Sequence, residues 1–147
     1  MTLFPNLNLS GKRPVYPHPD YPKELKTLGD HIRKVRLDKK LTQLDLAKIM
    51  GVSDTSVNMW EKKARFPNIS LYPPIIQFLG YDPLYLSDGS VRSKLENYRR
   101  KHGLTYKQVA KIAGIGKETM YNFIRGINVK KRTIKNYKKQ WITRKLY

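Results

Sequence analysis

The stretch Leu41-Thr42-Gln43-Leu44-Asp45-Leu46-Ala47-Lys48-Ile49-Met50-Gly51-Val52-Ser53-Asp54-Thr55-Ser56-Val57-Asn58-Met59-Trp60-Glu61 carries two helix starts and one helix stop in a single short run. Thr42 supplies a hydroxyl, and Asp45 a carboxylate three positions later, which is the reciprocal arrangement of a capping box. Leu46, Ile49 and Met50 then give this helix one apolar side. Gly51 stops it, because glycine enters left-handed dihedrals without the penalty of a Cβ. Ser53 caps a further short helix, in which Val57 and Trp60 face inward.

Upstream, Leu25, Leu28, Ile32 and Val35 recur at spacings of three and four, so a helix is expected from near Lys23 to about Asp38-Lys39-Lys40. Downstream, Arg65-Phe66-Pro67-Asn68 reads as a loop. A fourth helix is expected over 71–79, with Pro73 or Pro74 in its first turn and Ile75, Ile76, Phe78 and Leu79 as core candidates. Gly80-Tyr81-Asp82-Pro83 closes this unit and Asp88-Gly89-Ser90 reads as a linker. The first 22 residues hold Pro5, Pro14, Pro17, Pro19 and Pro22 and read as an extended, flexible arm whose Lys12 and Arg13 are within reach of a polyanion.

The pattern then returns at an ungapped offset of 63 residues, from Leu41-Thr42 to Leu104-Thr105. Arg36 falls on Arg99, Ala47-Lys48-Ile49 on Ala110-Lys111-Ile112, and Gly51 on Gly114. Apolar positions coincide too: Ile32 with Leu95, Leu46 with Val109, Val52 with Ile115, Val57 with Met120, and Trp60 with Phe123. So many matches at one offset indicate two copies of one supersecondary unit. After the second copy, residues 130–147 place Ile134, Tyr137, Trp141 and Leu146 on a basic stretch, as expected of a terminal helix with one apolar stripe. The domains expected are an arm over 1–22, a first unit over 23–88 and a second over 89–147.

Composition fits two small units. The chain has 147 residues and a formal charge of +19, from 30 Lys and Arg against 11 Asp and Glu. Residues 1–88 hold 13 basic and 9 acidic side chains, whereas residues 89–147 hold 17 basic and 2 acidic, so the second unit carries most of the excess. Such a charge points to a polyanionic partner, and nucleic acid is the commonest. There is no Cys, which excludes disulfides and thiolate metal sites, and His18, His31 and His102 stand singly. No cofactor and no metal is expected. No apolar run is long enough to span a bilayer and the first ten residues lack the plan of a secretory signal, so a cytoplasmic, nucleoid-associated protein with no membrane partner is expected.

Helix, capped helix, glycine turn, capped short helix is the order of a helix-turn-helix. Residues 28–67 closely resemble the lambda-repressor/Cro-type (XRE) family of transcriptional regulators. The likeness is carried by Thr42-Gln43, Leu46-Ala47, Gly51-Val52-Ser53, Val57 and Trp60-Glu61, and it extends over most of 24–83. The second unit, roughly 91–128, is similar but departs more, with Phe123-Ile124-Arg125-Gly126 where Trp60-Glu61-Lys62-Lys63 stand. The fold class expected is therefore all-α, two small helix-turn-helix domains in tandem followed by a basic terminal helix.

The resemblance implies that the second helix of each motif enters the major groove. In the first unit this presents Ser53, Asp54, Thr55, Ser56, Asn58 and Met59 to bases. Asn58 suits paired hydrogen bonds to a base edge, and Asp54 suits either cytosine N4 or a stabilising place at the helix start. Gln43, opening the preceding helix, is placed to hold a phosphate. In the second unit the corresponding positions are Gly116, Lys117, Glu118, Thr119, Tyr121 and Asn122, with Tyr106 and Lys107 in the phosphate-contact region and Arg125, Lys130, Lys131 and Arg132 close to the backbone. With two units, one chain can occupy two groove segments about one turn (~34 Å) apart, where a single-motif protein must form a homodimer; a homodimer stays open here too.

Gly114-Ile115-Gly116-Lys117-Glu118-Thr119 is no phosphate loop, since Lys111 stands at the first glycine position and Glu118 at the hydroxyl position. No carboxylate pair, Ser/His/Asp grouping or His pair one turn apart presents itself, so an enzyme is not expected. The expected function is sequence-specific binding of double-stranded DNA in transcriptional regulation, most often repression. Three alternatives stand beside it: a low-specificity architectural or recombination accessory protein, an RNA-binding protein using tyrosines among cations, and an antitoxin.

Overall fold

The computed structural model describes residues 18–127. The expected arm before residue 18, with Lys12 and Arg13, and the expected basic helix over 130–147, with Lys130, Lys131 and Arg132, lie outside the described residues. Among those described, all regular structure is helical: α1 (Leu28–Asp38), α2 (Gln43–Met50), α3 (Asp54–Glu61), a 3-10 turn (Ile69–Leu71) leading into α4 (Tyr72–Leu79), α5 (Val91–His102), α6 (Tyr106–Ala113) and α7 (Lys117–Ile124). The described residues divide into two compact units, one of residues 18–67 with Gln77–Pro83, the other of Asn68–Ile76 with residues 84–127.

In the first unit, α1 begins five residues later than the apolar spacing suggests. Thr27 and Asp30 form a capping box, the Thr27 hydroxyl accepting from the Asp30 amide at 3.3 Å and the Asp30 carboxylate accepting from the Thr27 amide at 2.9 Å. That cap fixes the start, and Leu25, in phase with the apolar face, lies before the helix and is exposed. The Thr42–Asp45 box opens α2 as its spacing requires, with bonds of 3.1 and 2.9 Å. Gly51 closes α2 in the left-handed region at φ 65°, and Ser53 caps α3 by accepting from the Ser56 amide at 3.2 Å.

Helix α3 packs on both α1 and α2. Leu28, Ile32 and Leu37 of α1, Leu46, Ala47 and Met50 of α2, and Val57 and Trp60 of α3 are buried. The crossing of α1 and α3 is close enough that a Cβ on Gly29 would overlap the Trp60 carbonyl. The last residues of the proline-rich stretch are tied to α1: the Tyr21 hydroxyl donates to Asp38 at 2.7 Å, and Asp20 pairs with Arg33 at 3.1 Å. Phe78 and Leu79 are buried as expected, and Tyr81 is hydrogen-bonded to His31 Nδ1 at 2.7 Å.

The second unit has its own small core of Leu95, Val109, Ala110 and Met120, lined by Tyr98, Leu104, Tyr106, Ile115, Phe123 and Ile124. Ser90 caps α5, and Thr105 with Gln108 forms a capping box at the start of α6. Helices α6 and α7 begin and end 63 residues after α2 and α3. The left-handed residues follow the same offset: Lys40, Gly51 and Lys63 in the first unit, Gly103, Gly114 and Gly126 in the second. Gly116, which precedes α7, gives no side-chain cap where Ser53 caps α3.

The Gly29 contact yields a stability prediction. Gly29→Ala is ordinarily a favourable change inside a helix, yet here it should destabilise by about 1–3 kcal/mol, because α1 and α3 must separate. Urea unfolding checks this; an unchanged or raised midpoint would show that the crossing is not limiting.

Candidate nucleic-acid interface

The site of the first unit begins in its interior. Arg36 and Glu61 are both buried, and a guanidinium and a carboxylate lose hydration there, so each needs a full set of partners. Arg36 Nε donates to Glu61 Oε1 at 2.6 Å and Nη2 donates to Glu61 Oε2 at 2.9 Å. The remaining Nη1 donates to the Leu41 carbonyl at 2.7 Å, immediately before α2. The pair thereby joins α1, the entry to α2 and the end of α3.

From Glu61 the bonding continues outward. Gln43 Nε2 donates to Glu61 Oε2 at 2.9 Å, and Gln43 Oε1 accepts from Asn58 Nδ2 at 3.1 Å. Asn58 is half-buried on α3, and its amide plane is set by this chain. Its carbonyl oxygen and second amide hydrogen have no partner among the described residues. Those two groups match the N6–H donor and N7 acceptor of adenine in the major groove.

Gln43, expected at a phosphate, has its carbonyl and one amide hydrogen engaged in this relay and serves first as the link between Glu61 and Asn58. The Ser53 hydroxyl caps α3 and lies 2.9 Å from that of Ser56. Asp54 Oδ1 accepts from the Thr55 amide at 2.7 Å, a use of the carboxylate at the helix start, and both residues are exposed. Ser56 and Met59 are half-buried.

The second unit solves the same problem with other residues. Arg99 stands where Arg36 does, but Ile124 replaces Glu61, so the carboxylate comes from Glu96 on α5 itself. Arg99 Nε donates to Glu96 Oε2 at 3.2 Å, and the Tyr106 hydroxyl donates to Glu96 Oε1 at 2.6 Å. The Arg99 guanidinium lies 4.2 Å from the centre of the Tyr106 ring, a cation–π distance. Tyr106 meets Tyr121 with ring centres 5.6 Å apart, and Lys117 Nζ lies 5.5 Å from the Tyr121 ring centre. Tyr106 and Tyr121 thus occupy the places of Gln43 and Asn58. Burial, helped by the Glu96 carboxylate, pushes the Tyr106 phenol up to about 12. Lys107, Lys117, Glu118, Asn122 and Arg125 are exposed and Thr119 is half-buried.

Of the positions expected on α3 and α7, Asp54, Thr55, Lys117, Glu118 and Asn122 are exposed, and Ser56, Asn58, Met59, Thr119 and Tyr121 are half-buried. What residue patterns did not reveal is the support beneath them: Arg36–Glu61, Glu96 with Arg99, and the Tyr106 hydroxyl. The available signal was the match of Arg36 with Arg99 across the repeat.

Two predictions test this support. Arg36→Leu leaves Glu61 buried without its cation and should cost roughly 3–5 kcal/mol, while Arg36→Leu with Glu61→Leu should recover most of that loss; thermal melts of the single and double variants decide. The Tyr106 phenol titrates near 10 in the unfolded chain and near 12 in the folded one. Its contribution is therefore full below pH ~10 and is lost as pH rises through about 12. The stability advantage of wild type over Tyr106→Phe should shrink across that window in urea titrations; a constant difference would contradict the assignment.

Among the described residues no group of three or more acidic, His or Cys side chains could hold a metal ion, and no helix is long and apolar enough to cross a membrane. Comparison with curated proteins and with solved structures gives no match. Residues 32–86, which include most of α1, the α2-turn-α3 motif and α4, match the profile of the helix-turn-helix (HTH_3) family. The segment 32–86 is thus similar to helix-turn-helix domains of the XRE type, a family of DNA-binding domains of transcription regulation.

Proposed function

We propose that this protein is a sequence-specific double-stranded DNA-binding repressor made of two helix-turn-helix units, 23–88 and 89–147, each offering its second motif helix to the major groove. The observation that carries the reading is the relay Arg36–Glu61–Gln43–Asn58. It positions one half-buried amide on α3, and a pre-positioned amide is better suited to paired hydrogen bonds with a base edge than a mobile one. The matching bounds of α6 and α7, the equivalent left-handed residues and the second capping box support a second unit of the same kind.

The charge distribution supports a division between affinity and selectivity. Phosphate neutralisation by Lys and Arg supplies a salt-dependent attraction blind to sequence. The surplus over 89–147 is large enough to dominate that term. Base contacts from α3 then choose among sites already held.

Selection from a randomised duplex pool at ~150 mM salt, with single-stranded RNA as competitor, tests the proposal. An enriched motif that RNA does not displace is expected. Tight binding without enrichment would instead fit an architectural protein, and displacement by RNA a single-strand binder. On the selected duplex, Asn58→Ala should weaken binding by about 1–3 kcal/mol and leave random duplex nearly unchanged, whereas Lys107→Ala should weaken both alike and lower the salt slope by about 1. Equal losses for Asn58→Ala on the two duplexes would contradict base reading.

A further inference from the structure

Equivalent places on α3 and α7 carry opposite chemistry. Asp54 on α3 corresponds to Lys117 on α7, an acceptor-only anion against a donor-only cation. Asn58 corresponds to Tyr121, an amide against an aromatic ring. Both reading positions are nevertheless fixed from behind. Gln43 holds Asn58 and is held by Glu61. Tyr106 lies against Tyr121, with its hydroxyl spent on Glu96 and its ring beside Arg99. Lys117 Nζ stands 5.5 Å from the Tyr121 ring centre, so cation and ring form one composite surface at the start of α7.

The major groove distinguishes these surfaces. Guanine presents two acceptors, O6 and N7, which suit an ammonium; cytosine presents the N4–H donor, which suits a carboxylate. Adenine suits a fixed amide, and the 5-methyl of thymine suits an apolar ring. We infer that the two units read chemically different half-sites, the second taking guanine at Lys117 and thymine at Tyr121, so that the ligand is an asymmetric duplex rather than a repeat of one half-site. The inference rests on the groove-facing assignment of α3 and α7 proposed above, and it names Lys117 and Tyr121 as specificity-determining residues of the second unit.

The test is duplex selection with the intact chain, repeated with the variant Lys117→Asp/Tyr121→Asn, which places the residues of α3 on α7. Wild type is expected to enrich two blocks of different sequence, and the variant to lose guanine and thymine preference in one block while the other stays unchanged. Two copies of one block, or a single block, would overturn the inference while leaving the first unit's reading intact. No enrichment by wild type would overturn both. A measurement on wild type alone avoids any question of variant folding. Replacing thymine by uracil in the second block removes only the methyl group and should weaken binding about four-fold. Replacing guanine by 7-deazaguanine there should weaken it at least about five-fold. Unchanged affinity for both analogues would overturn the assignment.

Discussion

The buried pair of Arg36 and Glu61 is the constraint on which the first unit is built. A guanidinium and a carboxylate removed from water cost several kcal/mol each, and mutual attraction repays this only when the remaining polar atoms are also bonded. Here they are. Both carboxylate oxygens accept from Arg36, and the third guanidinium nitrogen reaches the Leu41 carbonyl. A buried ion pair of this kind is weak evidence for stability, and apolar residues of similar volume could fill the space. What it supplies is position: it leaves one direction, through Gln43, in which the carboxylate can act on a residue at the surface. Asn58 inherits its orientation from the interior.

The second unit shows what happens when that constraint is met differently. With Ile124 in the place of Glu61, the second motif helix cannot supply the carboxylate, and Glu96 on α5 takes over. A carboxylate on α5 reaches Tyr106 rather than an amide, and the tyrosine passes order onward by ring contact instead of a hydrogen bond. The backbone frame is kept to the residue in α6 and α7, while the polar support is rebuilt. Helix frames are fixed by caps, glycine turns and a few apolar residues, and these tolerate replacement of the outward side chains.

Much of this frame was legible in the sequence. Thr42, Asp45, Gly51 and Ser53 announce their local structure through bonds to residues three or four positions away, so α2 and α3 emerge with correct starts. Apolar spacing alone places the start of α1 too early because Leu25 is in phase with the apolar face, although Thr27 and Asp30 carry the same capping signal as Thr42 and Asp45. Phe78 and Leu79 follow from apolar spacing and are buried. The site was legible only as a set of positions. Gln43 reads as a phosphate contact at the start of α2, whereas its engagement depends on Glu61, 18 residues on, and Asn58, 15 residues on. Such bonds exist only once α1, α2 and α3 have packed. Arg36 and Glu61 were illegible as buried groups because charged residues between apolar ones ordinarily mark the solvent side.

The central claim is that Asn58 discriminates bases because Gln43 holds it. A double-mutant cycle between Gln43 and Asn58 measures this, with Gln43→Ala, Asn58→Ala and the double variant each titrated against a selected duplex and the same duplex altered at the base read by Asn58. The account predicts that Gln43→Ala loses most of the discrimination lost by Asn58→Ala, and that the double variant loses no more than Asn58→Ala alone. Losses that simply add would show that Asn58 reads its base unaided, and would contradict the relay.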